Sequence, residues 1–230
     1  MQQDPAEAAK WYRRAAEQGD AGAQFQLGGC YEKGEGVPLD FAEGAKWYRR
    51  AAEEGRADAQ FALGACYCNG QGVPEDHAEA VKWWRKPAEQ GVAETQWLLG
   101  YHYVHGDGVE KNIAEAAKWL RKAAEQGHAA AQRYLAACYA NGDGVTQDHK
   151  EAMKWYRQAA EHGDAEAQST LGLCYAMGNH VAADAVEAYQ WVKRAADRGY
   201  EGATDDLALV GGLLSREQFL EAERRYRQGR

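Results

Sequence analysis

The sequence predicts an all-α fold of tandem helix-turn-helix repeats, and three observations carry that prediction. Trp11, Trp47, Trp83, Trp119, Trp155 and Trp191 recur every 36 residues, and Gly19, Gly55, Gly91, Gly127, Gly163 and Gly199 keep the same step. Each period contains two helix-length stretches joined by a Gly-x-Gly-Val turn such as Gly34-Glu35-Gly36-Val37. The second stretch is amphipathic: at about 100° per residue, Gly44, Trp47, Tyr48, Ala51 and Ala52 share one side, with Glu43, Lys46, Arg49, Arg50 and Glu53 opposite. An apolar face that a single unit cannot bury needs neighbouring units stacked on it, so the repeats are expected to fold as one stack.

Each element follows from local chemistry. A lone second-type helix opens the chain over Pro5 to Gln18, making 1–19 a half-repeat. Five full units follow at 20–55, 56–91, 92–127, 128–163 and 164–199. In the first of these the helices run from about 20 to 33 and about 40 to 54, and the other units repeat them. Asp40, Asp76, Asn112 and Asp148 are residue types that cap helix N-termini, and the turn glycines suit C-terminal positions with positive φ. In the fifth unit His180 replaces the second turn glycine, and Asn179 is expected to absorb the change. Pro87 stands where other units have Ala15, Ala51, Ala123, Ala159 and Ala195. Proline removes a helical hydrogen bond, so a kink or early end is expected near Trp83–Lys86. Residues 200–230 depart from the repeat, lose the Gly-x-Gly-Val turn and read as capping helices, the last N-capped by Ser215. This count gives about thirteen helices.

The columns also carry a family resemblance. The first unit reads Ala23-Gln24-Phe25-Gln26-Leu27-Gly28-Gly29-Cys30-Tyr31-Glu32-Lys33-Gly34-Glu35-Gly36-Val37, followed by Gly44, Trp47, Ala51, Ala52 and Gly55. This pattern resembles the Sel1-like repeat, a relative of the tetratricopeptide repeat, over about residues 5 to 199. Gly44 departs slightly, since later units place Ala80, Ala116, Ala152 and Ala188 in its column. The resemblance implies a right-handed α-solenoid whose first helices line a concave surface, and an adaptor or scaffold role.

Composition narrows the function further. With 27 basic and 35 acidic residues the net charge is −8, which counts against binding nucleic acid or an anionic membrane. No stretch approaches the ~18 apolar residues of a membrane span, and the first residues show no export signal. Four cysteines, Cys30, Cys66, Cys138 and Cys174, occupy one column in separate units. Stacked helices about 8–10 Å apart place them poorly for disulfides and suit them as small packed thiols. Some Sel1-like proteins staple each repeat with two cysteines; this chain has one per unit, so that feature is not expected. Unpaired cysteines favour a reducing, cytoplasmic setting, with an exported full-length form still open.

Catalytic motifs find little support. The serines Ser169 and Ser215 begin no Ser-x-x-Lys, and neither Gly-x-Ser-x-Gly nor His-Glu-x-x-His occurs. The β-lactam chemistry attributed to some Sel1-like proteins therefore has no serine motif here, and the protein reads as no enzyme. His102 and His105 have i, i+3 spacing, but no third or fourth ligand is evident, so no metal or cofactor is expected. The competing reading is a small-ligand or metal-binding protein, or a weak enzyme, using His102, His105 and Cys68, the last on the variable helix face.

Packing leaves one face of each first helix free to vary. Its rows contain Phe25, Phe61, Trp97, Arg133 and Ser169, then Gly29, Ala65, Tyr101, Ala137 and Leu173, with His105 in a neighbouring row. Phe25, Phe61, Trp97, Tyr101, His105 and Arg133 are the candidate partner-binding residues, because aromatic and arginine side chains anchor interfaces. The preferred reading is a scaffold that binds a peptide or helical segment of another protein in its groove. Two alternatives stand beside it: Phe25 and Phe61 are wedges between helices, or the aromatic face is buried by self-association.

Overall fold

The computed structural model describes residues 4–228 and contains thirteen α-helices among them. They fall into two compact units, residues 1–112 and 113–230. The first unit holds α1 (Pro5–Glu17), α2 (Ala21–Lys33), α3 (Phe41–Glu53), α4 (Ala57–Asn69), α5 (His77–Glu89) and α6 (Ala93–His105). The second holds α7 (Ile113–Glu125), α8 (Ala129–Asn141), α9 (His149–Glu161), α10 (Ala165–Met177), α11 (Ala185–Asp197), α12 (Ala203–Gly211) and α13 (Arg216–Gln228). No strand occurs among the described residues.

The capping chemistry sets the helix ends. The Asp40 and Asp76 carboxylates each accept the backbone N–H three residues on, at 2.9 Å, and Asp148 and Asp184 do the same for α9 and α11. First-type helices α2, α4, α6, α8 and α10 all end on a glycine in the left-handed region, with φ from 65° to 81°. The second turn glycine meets a different constraint. At Gly72 a Cβ would lie 2.0 Å from the Phe41 carbonyl oxygen, so the turn closes directly on the start of the preceding second-type helix. At the fifth turn His180 itself adopts φ 62°, and its ring stacks on His149 with centroids 3.8 Å apart. The expected accommodation by Asn179 is therefore corrected: the left-handed backbone stays at the second turn position, steadied by a ring stack.

Within each unit the helix pairs bury the recurring columns. Leu27, Leu63, Leu99, Leu135 and Leu171 are fully buried, beside small residues such as Ala51, Ala59, Ala123 and Ala159. A buried glutamine accompanies each leucine. The side-chain amides of Gln24, Gln60, Gln96, Gln132 and Gln168 donate to the carbonyls of Ala16, Ala52, Ala88, Ala124 and Ala160, at 2.8–3.2 Å. Each adds a second donor to a last-turn carbonyl of the preceding helix that already accepts the backbone N–H of the glycine three residues on, at 3.0–3.1 Å. On the wet face Lys46, Lys82, Lys118 and Lys154 pair with the glutamate three residues earlier at 2.7–3.0 Å, the solvated pattern the sequence implied.

Pro87 does not end its helix early. Helix α5 runs to Glu89 and has the same thirteen residues as its sisters, which corrects the expected early stop. The proline lies in the last turn and its missing N–H removes one ladder bond, while its ring is buried where other units bury an alanine. At the other end Ser215 and Gln218 form a reciprocal cap, with backbone-to-side-chain bonds of 2.9 and 3.2 Å. Helix α13 rests on α11 through Tyr189, whose hydroxyl donates to Glu223, and Tyr226, whose hydroxyl donates to Asp197.

Candidate functional site

The variable face of the first unit is aromatic, and its members are held rather than loose. Phe25 is half-buried, 5.6 Å from the Tyr48 ring, with the Arg56 guanidinium 5.7 Å over its own ring. Phe61 is also half-buried, and its carbonyl accepts the indole N–H of Trp84 at 3.1 Å. Along α6 an aromatic file follows the i, i+4, i+8 spacing of one helix side. Trp97 lies 6.0 Å from Tyr101, and Tyr101 lies 4.2 Å from His105.

Arg133 belongs to the second unit, on α8. Its guanidinium contacts Asp164 at 3.1 Å and Glu166 at 3.0 Å, and stands 4.7 Å over the Tyr134 ring. Two carboxylates therefore already answer its charge, and Asp164 also caps α10.

A second cluster lies beside this file, with the His102 ring 5.8 Å from that of Tyr101. Cys68 lies in the last turn of α4, His77 opens α5 and His102 sits inside α6; one donor atom from each falls within 4.8 Å of the other two. The Cys68 sulfur is 3.7 Å from His77 Nδ1. The remaining nitrogens of both rings face oxygen acceptors, His77 Nε2 at 3.2 Å from a Glu75 carboxylate oxygen and His102 Nδ1 at 2.9 Å from the Asp107 carbonyl. His102 is almost fully buried against Trp84 at 5.2 Å, and that burial lowers its pKa, so the ring is neutral at pH 7. Burial foremost, then Glu75 and Asp107, raises the Cys68 thiol above its usual range.

The sequence reading grouped His102 with His105 and Cys68 and saw no full ligand set; in the fold His77 takes the place of His105 in that group. His105 turns toward Tyr101, and the third donor is His77. Sequence reasoning missed His77 because it begins a second-type helix, a position filled elsewhere by Pro5, Phe41, Ile113, His149 and Ala185. The available signal was column adjacency: the equivalent residues Ala140 and His149 of the fourth full repeat and Cys174 of the fifth line one cavity of about 320 Å³. The other cysteines are free thiols, and burial pushes Cys66 and Cys138 up to about 11.

With this architecture in hand, the class is that of a helix-pair repeat solenoid. The Sel1 repeat family matches residues 1–20, 21–55, 57–92, 93–128, 129–164 and 165–200, and the chain belongs to that family. Among solved structures it is similar to c5321, a protective antigen of uropathogenic Escherichia coli displaying an SLR fold, at 38% identity and a TM-score of 0.85. That similarity covers 99% of this chain and 50% of the antigen, so the chain spans half its relative's length. It is also similar to a Sel1 repeat protein from Oxalobacter formigenes, at 37% identity and a TM-score of 0.78, covering 89% and 87% of the two chains. The immunity protein PA5088 from Pseudomonas aeruginosa, at 20% identity and a TM-score of 0.53 over 90% and 80% of the chains, shares the fold alone. No curated protein matches the chain. Sel1 repeats commonly serve as protein-interaction scaffolds and are typically non-enzymatic. No helix among the described residues is long and apolar enough to cross a membrane.

Proposed function

We propose that this chain is a non-enzymatic scaffold that binds a peptide or helical segment of another protein on the variable face of its first-type helices. One observation carries the reading: half-buried aromatics, Phe25, Phe61 and Trp97, occupy the same position on successive first-type helices, where the repeat's packing imposes no residue type. Rigid aromatic groups concentrate binding energy because they bury large areas at little conformational cost. Tyr101 and His105 extend the row along α6. Arg133, already paired with Asp164 and Glu166, supports its own unit and is the weakest candidate of the set.

The test is affinity purification from the native host with mass spectrometry, comparing wild type with a folded Phe61→Ala/Trp97→Ala/Tyr101→Ala variant. Loss of a partner confined to the variant supports the reading, and equal retention by both proteins refutes the site. The mass of the purified chain in solution separates this reading from self-association: a monomer removes the latter.

A further inference from the structure

We infer that Cys68, His77 and His102 form a transition-metal site that takes Zn²⁺ through one thiolate and two imidazoles. A tetrahedral Zn²⁺ with Zn–S of about 2.3 Å and Zn–N of about 2.0–2.1 Å sets sulfur and nitrogen roughly 3.5 Å apart. The Cys68 sulfur and His77 Nδ1 already stand 3.7 Å apart, and all three donors lie within 4.8 Å. Closing the widest gap needs a movement of order 1 Å, within the reach of side-chain torsions at metal distances.

The surroundings of the rings strengthen the assignment. A metal-ligating histidine usually directs its other nitrogen at a carboxylate or carbonyl, which fixes the tautomer and aims the lone pair inward. Both forms occur here. His77 Nε2 meets the Glu75 carboxylate at 3.2 Å, and His102 Nδ1 meets the Asp107 carbonyl at 2.9 Å, leaving His77 Nδ1 and His102 Nε2 to bind. The backbone of His77 is held as well, since Gly108 packs so closely on it that a Cβ there would fall 2.3 Å from the His77 carbonyl carbon. Three helices thus hold the donors before any ion arrives.

The donor set selects the ion. Thiolate with imidazole suits Zn²⁺ and excludes Mg²⁺ and Ca²⁺, which take oxygen ligands. On binding, the Cys68 S–H proton passes to solvent as the Zn–S bond forms, so the site carries one net positive charge. Three protein ligands leave a fourth position for water or an incoming donor, the arrangement of an open site rather than a closed structural one. The composition is peculiar to one repeat boundary. The same columns hold Glu32, Phe41 and Cys66 in the preceding repeat and Ala140, His149 and Cys174 in a later one, and neither set supplies all three donors.

Those sister columns also provide substitutions the packing already accepts. The experiment titrates the reduced full chain with Co²⁺, then displaces it with Zn²⁺, in wild type, Cys68→Ala, His77→Phe and His102→Cys; circular dichroism confirms helicity. Wild type is expected to bind one Co²⁺ with tetrahedral ligand-field bands and a near-ultraviolet thiolate charge-transfer band, both lost on Zn²⁺ addition. Cys68→Ala is expected to lose the charge-transfer band, His77→Phe to lose stoichiometric binding, and His102→Cys to keep binding with a stronger charge-transfer band. Glu75→Gln is expected to weaken binding about 10–100-fold. Absence of a thiolate band in wild type, or the same band in Cys68→Ala, overturns the proposal; since Trp97 and Tyr101 are intact throughout, neither result bears on the scaffold reading.

Discussion

Two glycines on neighbouring columns of the first-type helices are expected to respond in opposite directions to the same change. An alanine at Gly64 would place its Cβ 2.3 Å from Nε1 and 2.6 Å from Cδ1 of Trp84, a fully buried ring. The ring must retreat by about 1 Å, overpacking that costs about 1–3 kcal/mol. The retreat also breaks the 3.1 Å bond from Trp84 Nε1 to the Phe61 carbonyl, at about 1 kcal/mol. Against this, alanine exceeds glycine in helix propensity by about 1 kcal/mol. The net loss is about 2 kcal/mol, or a Tm lower by about 4–8 °C for a chain of this size. At Gly29 the nearest atom to an added Cβ is the Tyr48 hydroxyl at 3.6 Å, an ordinary contact. Only the propensity gain remains there, so Gly29→Ala should raise Tm by about 2–4 °C. Thermal unfolding followed by circular dichroism measures both. If Gly64→Ala melts at or above wild type, close approach to Trp84 is not what keeps glycine in that column.

Three further outcomes follow from the same structure. Gln60→Leu removes the 3.1 Å bond to the Ala52 carbonyl, which keeps the Gly55 N–H at 3.0 Å, and should cost about 0.5–1.5 kcal/mol in urea denaturation, whereas Gln26→Leu, at an exposed position, should stay within about 0.5 kcal/mol. Arg133→Met leaves Asp164 and Glu166 facing each other and should destabilise by about 1–2 kcal/mol, with the loss shrinking in high salt, as denaturation at two ionic strengths would show. Burial raises Cys66 and Cys138 to about 11, so the folded chain keeps protons that the unfolded chain releases from about pH 8.5 upward. Their contribution is fully present below pH 8.5 and is lost as pH climbs toward 11, by up to about 1.4 kcal/mol per pH unit for each thiol. Urea midpoints between pH 8 and 11 test this: replacing both cysteines with alanine should flatten that part of the curve.

The periodic features were legible because each arises from chemistry inside one repeat. Tryptophan, leucine and glycine columns report which side of a helix is buried, and aspartate and glycine at fixed offsets mark where helices start and stop. That was enough to place thirteen helices and to separate a packed face from a variable one. Pro87 shows the limit of a local rule: it removes the bond to the Trp83 carbonyl, yet α5 runs on to Glu89 with the ring buried in a slot that holds alanine in the other units. His180 shows another, since a ring stack on His149 steadies a backbone angle that local propensity assigns to glycine.

Sequence by itself determined the repeat, the helix boundaries, the buried columns and the family. Only the tertiary structure decided which side chains meet. Cys68, His77 and His102 come from three helices, and their spacings of nine and twenty-five residues match no helical period. Arg133 meets carboxylates about thirty residues away for the same reason. A helix pattern encodes the direction in which a residue points, whereas a site depends on the distance between residues pointing from different helices, and that distance is set by how the helices pack.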